Sequence, residues 1–138
     1  MTISAPNTDK IVSQIKARLS LRTPQFDCLS ILDDLVRRIS LAKDADPGHA
    51  LTAISTAYPS VVEFEREFPS LCFALATGVG KTRLMGAFIS YLYKAEGIRH
   101  FFVLAPNLTI YNKLIADFTP NTPKYVFPFG SDRAVGPK

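Results

Sequence analysis

The sequence predicts an α/β fold, in which N-terminal helices precede the start of a doubly wound parallel sheet. Three observations predict it. Apolar residues recur at helical spacing through the first forty positions. Two continuous apolar runs, 71–76 and 101–105, lack the polar alternation of a half-exposed strand, so we expect strands buried on both faces. A glycine-containing turn and a helical pattern separate the runs, which gives the order strand, helix, strand, helix.

Length and composition limit the classes of protein that this chain can belong to. It has 138 residues, of which 47% are apolar and 20% charged, as in a globular domain. No apolar run approaches the roughly 18 residues of a membrane span, and two cysteines are too few for a disulfide framework. We therefore expect a soluble cytoplasmic protein with free thiols. The net charge of +4 is compatible with nucleic-acid binding and equally with an ordinary surface.

The N-terminal region, 1–69, is predicted to be helical. Apolar residues spaced by four predict a first helix over 9–21. Pro24 suits the first turn of a second helix that extends to about residue 42. A short helix is expected over 50–58, and one or two further helical turns over 61–67.

The remainder, 70–138, carries the predicted sheet. A helix is expected over 81–96 with Gly97 at its C-terminal cap, and Asn107 is expected to cap a helix that ends near residue 118. A short third strand is possible at 125–127. Cys72 lies in the first predicted strand, so it is expected to be a core thiol.

The stretch between the first strand and its helix has the composition of a phosphate-binding loop. Gly78 and Gly80 allow the tight turn that points backbone N–H groups at an anion. The loop leads into a helix N-terminus, where free amides and the helix dipole favour negative charge. Lys81 can reach the β- and γ-phosphates of a nucleotide, and the Thr82 hydroxyl can bind Mg²⁺.

These residues carry a family resemblance. The segment 73–85 resembles motif I of superfamily 2 helicases, in the branch that contains the helicase subunit of type III restriction enzymes and DEAD/DEAH-box proteins. The segment 102–110 resembles motif Ia, and 21–25 resembles an upstream element whose glutamine contacts adenine. The segment 121–127 is similar to the stretch that follows motif Ia. Leu75 departs from the generic loop pattern, which has glycine there, and helicase-type loops tolerate this change.

The resemblance implies a RecA-like P-loop NTPase fold with ATP and Mg²⁺ as ligands. By position, Gln25 would contact adenine, and the triphosphate would lie against the following residues: Thr77, Gly78, Val79, Gly80, Lys81 and Thr82. Lys81 and Thr82 would take part in catalysis, the latter as a Mg²⁺ ligand. Arg83 is expected to face solvent.

The resemblance also implies partners. Nucleic acid, DNA in a restriction system, would contact Pro106, Asn107 and Thr109. A modification or nuclease subunit or domain would complete such a system.

Parts that ATP hydrolysis needs are missing from the sequence. After motif Ia the acidic residues are Asp117 and Asp132, and neither follows an apolar strand, so no Walker B pair is found. The arginine finger of such enzymes comes from a second RecA-like domain. We therefore expect an incomplete sheet, a catalytically incomplete N-terminal piece of a longer helicase, and a chain that is poorly soluble or partly molten because strand edges stay uncovered.

Two other classes of function remain open. The chain could be a small self-contained P-loop protein that binds nucleotides or transfers phosphoryl groups, which would require a Walker B acid within the sequence. It could also be a non-enzymatic interaction module that keeps a vestigial loop.

Overall fold

The computed structural model of the chain describes residues 8–129, and this part contains five helices and no strand. The helices are α1 (Thr8–Leu19), α2 (Thr23–Arg38), α3 (Pro47–Ala57), α4 (Lys81–Glu96) and α5 (Leu108–Phe118). The predicted α/β class with a parallel sheet is therefore wrong for the described residues. Asp132 lies outside them.

Helices α1, α2 and α4 pack against one another around the main core. Each contributes one apolar stripe at helical spacing, as the sequence predicted for α1 and α2. The most buried members are Ile15, Leu29, Ala87 and Tyr91, all fully inaccessible to solvent. Helix α4 thus packs against both N-terminal helices.

A chain of polar contacts ties the same three helices together. The hydroxyl of the buried Tyr91 donates to Asp33 Oδ1 over 2.6 Å. Arg37 Nη2 lies 2.8 Å from Asp33 Oδ2 and 2.7 Å from Asp9 Oδ1. Burial, and then the Asp33 carboxylate, raise the pKa of Tyr91, while the two carboxylates raise the pKa of Arg37. The contacts therefore link α4, α2 and α1 from the core to the surface.

The predicted helix ends are largely confirmed. Gly97 adopts a left-handed φ of 67° at the C-terminal cap of α4, and its amide bonds the Leu92 carbonyl. Asn107 caps α5, because its side chain accepts from the Ile110 amide over 3.0 Å. The extra helical turns expected over 61–67 are not formed.

The apolar runs that were expected to be buried strands lie along α4 without pairing. Phe101 and Val103 are half-buried, whereas Phe102 and Leu104 are 88% and 77% exposed. This alternation is that of an extended chain covered on one face. Cys72, expected in the core, is exposed.

The physical reason for the difference is that a strand obtains its hydrogen bonds from a neighbour. Residues 71–76 and 101–105 make no backbone–backbone hydrogen bond within the described part of the chain. Both segments border the same groove on α4, which is about 410 Å³ in volume. They do not hydrogen-bond to each other through their backbones. Apolar composition predicted burial correctly on one face only, because nothing in residues 8–129 covers the second face.

The segment expected as a third strand, 125–127, packs on α4 instead. Val126 and Phe127 are buried beside Ile89, and the Val126 amide bonds the Asp117 carbonyl. Gly86 permits this approach, since a Cβ there would lie 2.3 Å from the Val126 carbonyl oxygen. No helix among residues 8–129 is long and apolar enough to cross a membrane.

Candidate phosphate-binding site

The candidate site begins with the turn that precedes α4. Gly78 and Gly80 have φ values of 83° and 95°, which are left-handed conformations that favour glycine. Gly80 is the N-cap of α4, and its carbonyl accepts the first helical bond, from the Leu84 amide over 3.1 Å. The sequence therefore predicted correctly both where the turn lies and where the helix begins.

The two glycines differ in their surroundings. A Cβ at Gly78 would meet no atom within 4 Å, so its glycine is required by backbone conformation alone. A Cβ at Gly80 would lie 2.4 Å from Gln25 Nε2. Gly80 therefore has a second requirement, which is the close approach of a side chain from α2.

The side chains of the loop residues are available for a ligand. Lys81 and Thr77 are exposed, and Thr82 and Val79 are half-buried. Within residues 8–129, neither the Lys81 amine nor the Thr82 hydroxyl has a hydrogen-bond partner in the protein. A free amine and a free hydroxyl at the start of a 16-residue helix are groups that bind anions and hydrated cations.

Gln25 is brought directly to this loop. It is 3% exposed, and its amide is oriented by two hydrogen bonds. Nε2 donates to the Gly80 carbonyl over 3.0 Å, and Oε1 accepts from the Arg22 amide over 2.9 Å. The second bond is half of a capping box at the start of α2. One N–H and one lone pair of the amide are not used by these two bonds.

Arg83 has a partner that the sequence did not reveal. Its side chain is exposed, as expected, but Nη1 also donates to the Leu19 carbonyl over 2.9 Å. That carbonyl is one of the last in α1 and has no helical partner. The contact spans 64 positions of sequence, so helical periodicity could not have found it.

The predicted nucleic-acid residues lie at a different helix end. Pro106, Asn107 and Thr109 are exposed around the N-terminus of α5, and the Asn107 side chain is engaged in the cap. Asp117 lies near the end of α5 and is 4% exposed. The structure thus groups Gln25 with the loop and leaves the nucleic-acid candidates as a separate set.

Comparison with known proteins gives one family. The model of the family described as "Type III restriction enzyme, res subunit" matches residues 10–134. No curated protein and no solved structure matches the chain. The matched residues include the loop, Gln25 and the N-terminus of α5.

Proposed function

The chain belongs to the family of the type III restriction enzyme res subunit, and we propose that it is the ATP-binding portion of a nucleic-acid-dependent ATPase or helicase. This family assignment indicates a helicase-like ATPase region. Binding of ATP with Mg²⁺, and a role in DNA translocation or unwinding by a longer protein, are the finer parts of the proposal. The division into an N-terminal region, 1–69, and an ATP-binding region, 70–138, also belongs to the proposal.

One observation carries the proposal. Two left-handed glycines lead into the N-terminus of α4, directly before an amine and a hydroxyl that have no partner within residues 8–129. Backbone amides at such a turn and the positive end of the helix dipole favour a phosphate group. Together these groups offer a polyphosphate backbone donors, a positive side chain and a hydroxyl at one helix end.

The donor set fits ATP and Mg²⁺. Lys81 would neutralise charge on the β- and γ-phosphates, while the loop amides from Thr77 to Gly80 would bind phosphate oxygens. The Thr82 hydroxyl would be the protein's ligand to Mg²⁺, a cation that keeps several waters and prefers oxygen. Bound Mg²⁺ would supply charge neutralisation of the phosphates.

Gln25 would contribute adenine selectivity. Its remaining N–H and lone pair form a donor–acceptor pair, which matches the N6 and N7 edge of adenine. Because the amide is held by Gly80 and Arg22, its orientation is fixed before a base arrives.

Hydrolysis would need residues that the described part of the chain, 8–129, does not supply in a suitable place. Asp117 lies within a helix, buried, and its backbone carbonyl bonds Val126. A water-orienting acid and an arginine finger are both required for fast turnover, and loss of the finger alone costs roughly 10³–10⁵ in rate. We therefore propose binding without turnover.

The test is binding of a fluorescent ATP analogue with Mg²⁺ to the 138-residue chain. Lys81→Ala is the test variant, and Lys113→Ala, an exposed lysine on α5, is the matched control. ATP turnover is measured in the same samples with and without single-stranded DNA. We expect binding by the unmodified chain and by the control, loss in Lys81→Ala, and no turnover.

Other outcomes would change the conclusion. Turnover that depends on Lys81 would favour the self-contained P-loop enzyme. Absence of nucleotide binding in the unmodified chain would overturn the proposed function and favour a non-enzymatic module.

For DNA we propose contact at Pro106, Asn107 and Thr109, and a modification subunit as protein partner. Asn107→Asp separates capping from DNA contact, because aspartate also caps helices while its charge repels phosphate. We expect unchanged helix content and weaker binding of single-stranded DNA. Equal binding would remove Asn107 from the proposed DNA site.

A further inference from the structure

We propose that Arg83 and Gln25 are positioning residues that hold the phosphate loop against the corner between α1 and α2. The inference rests on the proposed function, because it assigns the control of that same site. Its subject is the corner formed by residues 19–22, which lies outside the proposed ATP contacts and is tied to both sides of the loop-to-helix junction.

The corner has a defined shape. Helix α1 ends in a Schellman motif, in which the Leu21 amide bonds the Lys16 carbonyl over 3.0 Å and the Ser20 amide bonds the Ala17 carbonyl over 3.3 Å. Ser20 has a left-handed φ of 49°. Leu19 and Leu21 are 6% and 7% exposed in the main core. The corner is therefore fixed by its own hydrogen bonds and by burial.

Arg83 makes the first tie. Its guanidinium donates to the Leu19 carbonyl over 2.9 Å, at the negative end of the α1 dipole. Because Arg83 is the third residue of α4, this bond fixes the first turn of the helix that presents Lys81 and Thr82.

Gln25 makes the second tie, on the loop side of the same junction. Its bond to the Gly80 carbonyl fixes the peptide unit between Gly80 and Lys81. That unit also carries the Lys81 amide, which lies at the free end of α4. Together the ties keep the loop amides and the Lys81 backbone in one arrangement before a phosphate arrives, so less ordering remains to be done on binding.

The experiment compares the affinity of four variants for the fluorescent ATP analogue with Mg²⁺, at a temperature where circular dichroism shows equal helix content. Arg83→Met and Gln25→Met remove one tie each while keeping side-chain length. Arg83→Lys keeps a cationic donor, and Arg99→Met removes an exposed arginine elsewhere as a matched control.

We expect Kd to rise about tenfold in Arg83→Met, which corresponds to one charge-assisted hydrogen bond. Gln25→Met should lose at least as much affinity, because it removes the proposed adenine contact together with the tie to Gly80; the Arg83 variants therefore carry the test of positioning. Arg83→Lys should restore most of the affinity, and Arg99→Met should match the unmodified chain. If Arg83 only stabilised the fold, Arg83→Met would lower the melting temperature. It would then bind nucleotide as tightly as Arg83→Lys once the two variants have equal helix content.

Amide hydrogen exchange in the nucleotide-free chain provides a second measurement. We expect Arg83→Met to speed exchange at residues 78–84 and not in α5. Unchanged affinity in Arg83→Met, with Lys81→Ala still losing binding, would overturn the inference and leave the proposed function standing. Unchanged exchange would overturn it as well, whether or not the unmodified chain binds nucleotide.

Discussion

Two regions of the molecule contain similar apolar residues but bury them to different extents. One is the helical cluster of α1, α2 and α4, and the other consists of the apolar segments 71–76 and 101–105. In the cluster, side chains such as Ile15 and Leu29 are fully buried. In the segments, Phe102 and Leu104 are mostly exposed although their neighbours are half-buried. The difference lies in where each element obtains its backbone hydrogen bonds.

A helix bonds its own backbone and needs neighbours only for its apolar stripe. An extended segment needs a neighbour for its backbone as well as for each face. Helices α1, α2 and α4 find their neighbours within residues 8–129. The two segments pack on α4, and 101–105 also contacts α5 and residues 126–127, but neither has a strand beside it there. The apolar composition of a segment shows that it can be buried. Whether it is buried depends on which other elements pack against it.

The largest expected effect tests this contrast directly. Leu29→Ala removes a fully buried side chain from the helical cluster and should lower the free energy of unfolding by about 2–5 kcal/mol. Leu104→Ala removes the same atoms from an exposed position and should change it by less than about 0.5 kcal/mol. Urea denaturation measures both. Comparable losses in the two variants would mean that Leu104 is covered in solution.

The candidate phosphate-binding loop lies between the two regions and provides the second comparison. Alanine at Gly78 or Gly80 must adopt a left-handed φ, at a cost of about 1–2 kcal/mol. Gly80→Ala also displaces the buried Gln25 amide, which adds roughly 1–3 kcal/mol. Urea denaturation should therefore show the larger loss in Gly80→Ala. Equal losses would mean that Gln25 gives way without cost.

The reactivity of the two cysteines measures how exposed each region is, without any mutation. Cys72 is exposed in the first apolar segment, while Cys28 is half-buried on α2, where burial and then Asp27 raise the pKa of its thiol. Because the thiolate is the reactive form, a thiol reagent at neutral pH should modify Cys72 about tenfold faster. Mass spectrometry of partly labelled chain measures the order. Faster labelling of Cys28 would mean that the first apolar segment is covered in solution.

The smallest effect concerns the polar contacts that join Tyr91, Asp33, Arg37 and Asp9 in the helical cluster. Tyr91→Phe removes one hydrogen bond to Asp33, which keeps Arg37, so we expect a loss of about 1 kcal/mol at pH 7. Because the folded state raises the pKa of Tyr91, its stabilising contribution is present below about pH 10 and is lost as pH rises further. Stability measured from pH 8 to 11 should fall less steeply in Tyr91→Phe. Parallel curves would show that Tyr91 is not protected from ionisation.

Local signals in the sequence were sufficient for the five helices and for the glycine turn, whereas the helical turns predicted over 61–67 are not formed. Spacing located α1 and α2, Gly97 and Asn107 located helix ends, and glycine positions located the turn. The predicted sheet is wrong for residues 8–129, because strand pairing depends on residues distant in sequence, which an apolar run does not record. The contact between Arg83 and Leu19 was missed for the same reason, since it joins two helices that sequence alone does not place side by side.

Gln25 lies between these cases. The family resemblance marked it as an adenine contact, which stays a proposal, and its bond to Gly80 is a separate finding. Poor solubility also stays a prediction, and the exposure of Phe102 and Leu104 is the feature that supports it.

The polar chain from Tyr91 through Asp33 and Arg37 to Asp9 has a consequence for how this sequence can evolve. Asp33 and Arg37 pair with each other on α2, so loss of Tyr91 leaves the acid at position 33 with a partner. Loss of Asp33 instead leaves the buried Tyr91 hydroxyl without its acceptor. Among homologues, a lineage that loses the acid at position 33 should therefore also tend to replace Tyr91 with phenylalanine.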